Sequence, residues 1–144
     1  MTRWSAAASK RAVIQFDISG LPANVNVVGA ELCLALSQTS AWLSKVAVHR
    51  LTSSWNELAV SWSAPWTTSG GDFKMAASDK KTFPIFTPTG SVTCWNVTTD
   101  VQMHYANAAS NHGWLLKDDA EPVMGNGETQ FFASRTHPDA AKRP

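Results

Sequence analysis

Seven tryptophans in 144 residues are the first residues here whose type suggests a chemistry. A sugar ring has an apolar C–H face and a polar rim. An indole that stays partly in water can stack on the face while amides, hydroxyls and charges meet the rim. Trp42 and Trp66 are flanked by Ser, Ala, Thr and Pro, so they are expected in loops and open to a ligand. Trp95 and Trp114 alternate with Val97 and Leu116 and read as core. Trp55 and Trp62 bracket a turn and fit either role.

The cations come next. A polyuronate carries one carboxylate per sugar, which Arg can clamp with two parallel bonds and Lys can meet as a point charge. Arg50, Lys117 and Arg135 are the expected ligand-binding cations, from a pool that also holds Arg11 and Lys45. Arg50 shares a strand face with Val46 and Val48, which suggests partial burial and a pairing with Glu57. Two acidic groups, Asp72 behind a glycine pair and Asp118, Asp119 and Glu121 near Asn126, offer oxygen ligands without an EF-hand spacing. Turn chemistry accounts for them, and no metal or cofactor is expected.

Catalysis has little to stand on. His49, His104, His112 and His137 are scattered, with no H-x-x-x-H pair and no G-x-S-x-G elbow. Tyr105 near a histidine falls on an apolar helix stripe. Eleven acids always allow a pair, so counting alone does not settle glycosidase chemistry. The expectation is a domain that is not an enzyme.

Composition bounds the rest. The chain is 44% hydrophobic and 16% charged with net charge +1, so neither nucleic acid nor an acidic membrane surface is an expected partner. No apolar run reaches the roughly 18 residues of a membrane span, and Met1–Ser5 lack the apolar region of a secretory signal. Cys33 and Cys94 are too few for a disulfide scaffold. Free thiols are favoured over a bridge, whose geometry the sequence does not supply.

Two-residue alternation dominates the chain. It predicts strands over 12–18, 28–36, 45–51, 60–62, 91–98, 113–117 and 130–134, with Gly, Pro, Asn and Ser turns between several of them. After Gly70-Gly71 the strand signal fades until residue 91. One segment, 98–105, reads as a short helix opened by threonine hydroxyls and Asp100 and closed before Gly113. The expected fold is an all-β, jelly-roll-like antiparallel β-sandwich with one short helix, in a single domain over 1–144. Missing first and last strands suggest a fragment of a longer protein.

In this order the residues resemble a known family. Lys10–Pro22 (KRAVIQFDISGLP), His49-Arg50-Leu51-Thr52 and Trp66–Phe73 (WTTSGGDF) are similar to motifs of DNRLRE-domain proteins. So are Asp100-Val101-Gln102, Asn111–Leu116 (NHGWLL) and Phe132–Arg135 (FASR). Three features depart from the pattern: the outer strands, the literal DNRLRE hexapeptide, and Thr136 where an acid commonly follows Ser-Arg. This family overlaps the alginate-binding carbohydrate-binding modules, and the resemblance implies secreted, multi-domain bacterial proteins. The resulting expectation is a non-catalytic module that takes a larger extracellular protein to a polysaccharide such as alginate. Trp66 and Trp42 would stack, Arg50, Lys117 or Arg135 would bind charge, and other domains of the parent protein would be partners. The rival expectation is a structural or adhesive module with every indole buried and no cleft.

Overall fold

The computed structural model describes residues 9–38, 43–121 and 130–144. Among these residues the strands are β1 (Ala12–Ile14), β2 (Glu31–Gln38), β3 (Ser44–Arg50), β4 (Asp79–Phe83), β5 (Val92–Asn96), β6 (Trp114–Asp118) and β7 (Phe131–Phe132). The single α-helix among the described residues, α1 (Thr98–Ala106), follows β5. The strands form two antiparallel sheets, ordered β1-β6-β3-β4 and β5-β2-β7, so the chain is an all-β sandwich with one short helix.

The core lies between the sheets. Leu32, Leu34 and Leu36 project from β2 by simple alternation, and Val46, Val48, Trp114 and Leu116 face them from the other sheet. Trp95 fills the middle, fully buried, opposite Leu32 in the register. Its ring packs edge-on against Phe132 and tilted against Phe83, and its Nε1 donates to the Val46 carbonyl at 3.1 Å. That bond crosses from one sheet to the other. It supplies the polar partner that a buried indole N–H requires.

The central strands of the four-stranded sheet, β3 and β6, are largely buried on both faces. Ala47, His49 and Leu115 point away from the core yet are as enclosed as their neighbours. The long connection between β3 and β4 covers them, packing Leu51, Trp66, Trp55, Val60 and Phe73 against Leu115 and Val13. At Gly71, φ is +118° and an added Cβ would lie 2.6 Å from Leu115 Cδ1, so only glycine allows the loop this close. Asp72 holds the same loop together. Its carboxylate accepts from Thr67 N–H and hydroxyl, Thr68 N–H and the Ser53 hydroxyl at 2.7–3.0 Å. Four donors lower its pKa to about 2, the Thr67 N–H contributing most.

Several boundaries differ from the sequence reading, each for a physical reason. β1 ends at Ile14 rather than residue 18. The chain beyond it is tied to Asn111 by side-chain bonds, with Gln15 Nε2 donating to Asn111 O and Asn111 Nδ2 to Phe16 O. Residues 60–62 are not a strand but part of the covering loop. β4 was not anticipated: its Asp79-Lys80-Lys81-Thr82-Phe83 run is polar because it forms a sheet edge, and only Phe83 is fully buried. Helix α1 lies where expected, but Asn96 Oδ1 receives the Thr98 N–H at 3.0 Å, while the Thr98 hydroxyl accepts from Ala30 N–H.

The cysteines also require a correction. Cys33 and Cys94 are directly opposed in the β2–β5 register with Cα atoms 4.0 Å apart, and they form a disulfide. Register brings them together, and register is not legible one strand at a time. The bridge spans a sequence separation of 61, a closure that chain-entropy arguments value at about 4 kcal/mol. Urea unfolding of the Cys33→Ala/Cys94→Ala variant should therefore show a midpoint well below that of the oxidised protein. Reduction of the wild type should lower it similarly, and equal midpoints would contradict this assignment.

Candidate functional site

Three segments converge on an open cleft of about 660 Å³: residues 15–21 beyond β1, the Trp55–Glu57 turn, and the stretch from His104 to Asn111 at the end of α1. Its aromatic walls are half-buried side chains held by hydrogen bonds. Trp55 Nε1 donates to His112 O at 2.9 Å. The Tyr105 hydroxyl donates to Pro22 O at 2.7 Å and accepts from Val25 N–H at 3.1 Å, fastening the helix to the loop after β1. Both rings are therefore oriented before any ligand arrives, which lowers the entropic cost of binding.

Acids sit at the mouth. Asp17 is exposed and accepts from Ser19 N–H at 2.8 Å, a bond that holds its pKa below the usual carboxylate value. Glu57 receives Arg135 Nε on both oxygens, at 2.8 and 2.9 Å, and its pKa is likewise lowered, chiefly by that bond. The pair is open to water, with side chains 56% and 66% exposed, so it contributes little to stability. A glycosidase acid must instead keep a carboxyl protonated near neutrality. Neither cleft acid is displaced in that direction.

Behind the cleft-lining His104 lies a polar cluster. Asp100, on the first turn of α1, is only 7% exposed; it accepts from Trp114 Nε1 at 2.8 Å and from the Ser78 hydroxyl, with Arg50 Nε at 3.5 Å. One helical turn on, His104 is wholly buried, its ring edge-on to Trp114 at 5.5 Å and its Nδ1 3.4 Å from the Ser110 hydroxyl. His104 Nε2 and Asn111 Oδ1 are buried without a hydrogen-bond partner, and both residues line the cleft. Leaving such a group unsatisfied costs about 1–3 kcal/mol. A polar group entering the cleft is one means of recovering it.

The residues singled out from the sequence are dispersed. Trp66 is not a loop aromatic open to a ligand: it is 8% exposed, packed on Leu51 and Leu115, with Nε1 bonded to Ser61 O. A loop that covers an apolar sheet face needs apolar side chains of its own, so polar neighbours in sequence did not mean exposure. Arg50 pairs with Asp100 rather than Glu57. Lys117 is largely enclosed, donating to Asp118 O and lying 3.7 Å from Glu121, which also binds Arg11. Arg135 alone of the chosen cations stands beside the cleft, through Glu57. Trp42 lies outside the described residues. Trp62 is 45% exposed, and its ring carries the Arg11 guanidinium at 4.8 Å.

Gln15, Asp17, Glu57 and Asn111 were not recognised as site residues. The available signal is the polar side of the 12–18 alternation, Gln15 and Asp17. As to metals, one group among the described residues clusters closely enough, Glu31 with Cys33 and Cys94, and both sulfurs are committed to the bridge. Comparison with protein-family models and with curated proteins finds no match.

Burial disfavours the imidazolium of His104 and lowers its pKa below 6.5. Arg50 and His112 push the same way, while Asp100 opposes. His49 is lowered too, again mainly by burial. A folded pKa below the unfolded value means stability that is full above about 6.5 and is lost as pH falls through that value toward the folded pKa. Urea midpoints should fall between about pH 7 and pH 5, and His104→Gln should flatten that slope. An unchanged slope in the variant would assign the effect elsewhere.

Proposed function

We propose that this cleft is the ligand site of a non-catalytic carbohydrate-binding module that brings a larger secreted protein to an extracellular polysaccharide. The observation that carries the reading is two half-buried aromatic rings, Trp55 and Tyr105, fixed by hydrogen bonds beside carboxylates, amides and orphan polar atoms in one cleft. Glycans need this combination of flat apolar surface and fixed polar groups. The lowered pKa values of Asp17 and Glu57 support binding without catalysis. The Cys33–Cys94 bridge supports an oxidising, extracellular setting. Resemblance to the DNRLRE domains points the same way. The rival structural module required every indole to be buried and no cleft, which fits poorly with Trp62 at 45% exposure and with the cleft itself.

The stacking residues of this proposal are Trp55 and Tyr105 rather than Trp66, and Arg135 remains a rim contact. A single site of this kind binds in the micromolar to millimolar range, about −8 to −4 kcal/mol. Affinity electrophoresis in gels containing neutral glucan, chitosan, pectin or alginate tests it. Retardation of the wild type in at least one gel is expected. Trp55→Ala should weaken binding about tenfold, equivalent to ~1.4 kcal/mol, with Tyr105→Phe as a milder control. Trp66→Ala should cost about 3–5 kcal/mol of folding stability while the folded fraction still binds. A wild type unretarded in every gel would refute the proposal.

A further inference from the structure

The polar groups of the cleft include buried acceptors without a donor. Four side-chain donors bond backbone carbonyls: Gln15 Nε2 to Asn111 O, Asn111 Nδ2 to Phe16 O, Trp55 Nε1 to His112 O and the Tyr105 hydroxyl to Pro22 O, each amide keeping a second N–H. Asn111 Oδ1 is an orphan acceptor. The Ser110 hydroxyl donates to Asn107 O at 2.7 Å and so presents a lone pair to His104 Nδ1–H, which makes the orphan His104 Nε2 an acceptor as well. Asp17 and Glu57 add carboxylates.

Charge follows the same pattern. Among the described residues no lysine or arginine lines the cleft. The cations that could have met a uronate are engaged elsewhere: Arg50 on Asp100, Lys117 beside Glu121, and Arg135 on Glu57. An incoming carboxylate would find two of its own kind, and the one cation at the rim, Arg135, is already paired with Glu57. Like-charge juxtaposition rejects a ligand as firmly as matched contacts select one.

We infer that the cleft selects donor-rich saccharides without carboxylates, whether neutral polyols or amino sugars, and rejects polyuronates. This rests on the carbohydrate reading above and narrows it to a substrate class. Hydroxyl and ammonium donors satisfy the exposed carboxylates of Asp17 and Glu57. The aromatic rings supply affinity that is indifferent to charge.

Calorimetric titration of the intact chain with cellohexaose, glucosamine hexamer, hexagalacturonate and hexamannuronate, at about pH 6 and low salt, separates the cases. Binding of the neutral or the amino hexamer at least about tenfold tighter than either uronate is the expected result, and the first two arms distinguish hydroxyl from ammonium donors. Uronate binding as tight or tighter overturns the selectivity and leaves the carbohydrate reading standing. No binding by any hexamer overturns both. The Asp17→Asn/Glu57→Gln variant removes both carboxylates and releases Arg135, so it should gain uronate binding severalfold. Undiminished rejection by that variant, with its fold confirmed by circular dichroism, overturns the assignment of selectivity to these acids.

Discussion

The buried carboxylate of Asp100 holds the parts of this molecule in register. A charge removed from water must find partners or cost several kcal/mol. Asp100 finds them on Trp114 of β6, Ser78 before β4 and Arg50 of β3. One side chain on the first turn of α1 thereby fastens the helix to the four-stranded sheet. The consequence reaches the cleft, because His104 stands one turn later on the same helix, against the same Trp114 ring. The position of Tyr105 follows from that of His104. Break the Asp100 cluster and the wall of the cleft loses its anchor.

A second constraint is the two-faced burial of β3 and β6 in the four-stranded sheet. A sheet that faces water on one side needs no cover, but β3 and β6 carry Ala47, His49 and Leu115 outward. The β3–β4 connection therefore forms a third layer, stiffened by Asp72 and brought close at Gly71. The Arg11 guanidinium lies over the Trp62 and Phe73 rings while binding Gly70 O and Glu121, which joins this layer to β1. Trp55 projects into the cleft because this layer carries it there. Loop architecture and ligand site are one construction, and cations that looked available for a ligand serve it instead.

How much of this the sequence revealed depends on the range of the interaction. The inward faces of β2 and β3 were legible because Leu32, Leu34 and Leu36, and Val46 with Val48, repeat every second residue. The core roles of Trp95 and Trp114 were legible for the same reason. β4 was not, since an edge strand protected by lysines has no apolar alternation to detect. Trp66 and the cysteine pair misled for a shared reason: their environments are made by residues far away in sequence, Leu115 for the one and the opposing strand for the other.

What the sequence determined alone was the class of fold, two layers of short strands with one helix, because two-residue alternation and its interruption are local properties that each segment carries itself. The tertiary structure decided which aromatics face a cleft, which acids find cations, and where the polar groups left unpaired would gather. Those outcomes depend on register, on layer stacking and on loop closure. They arise only when residues 15–21, 55–57 and 104–111 are folded against one another.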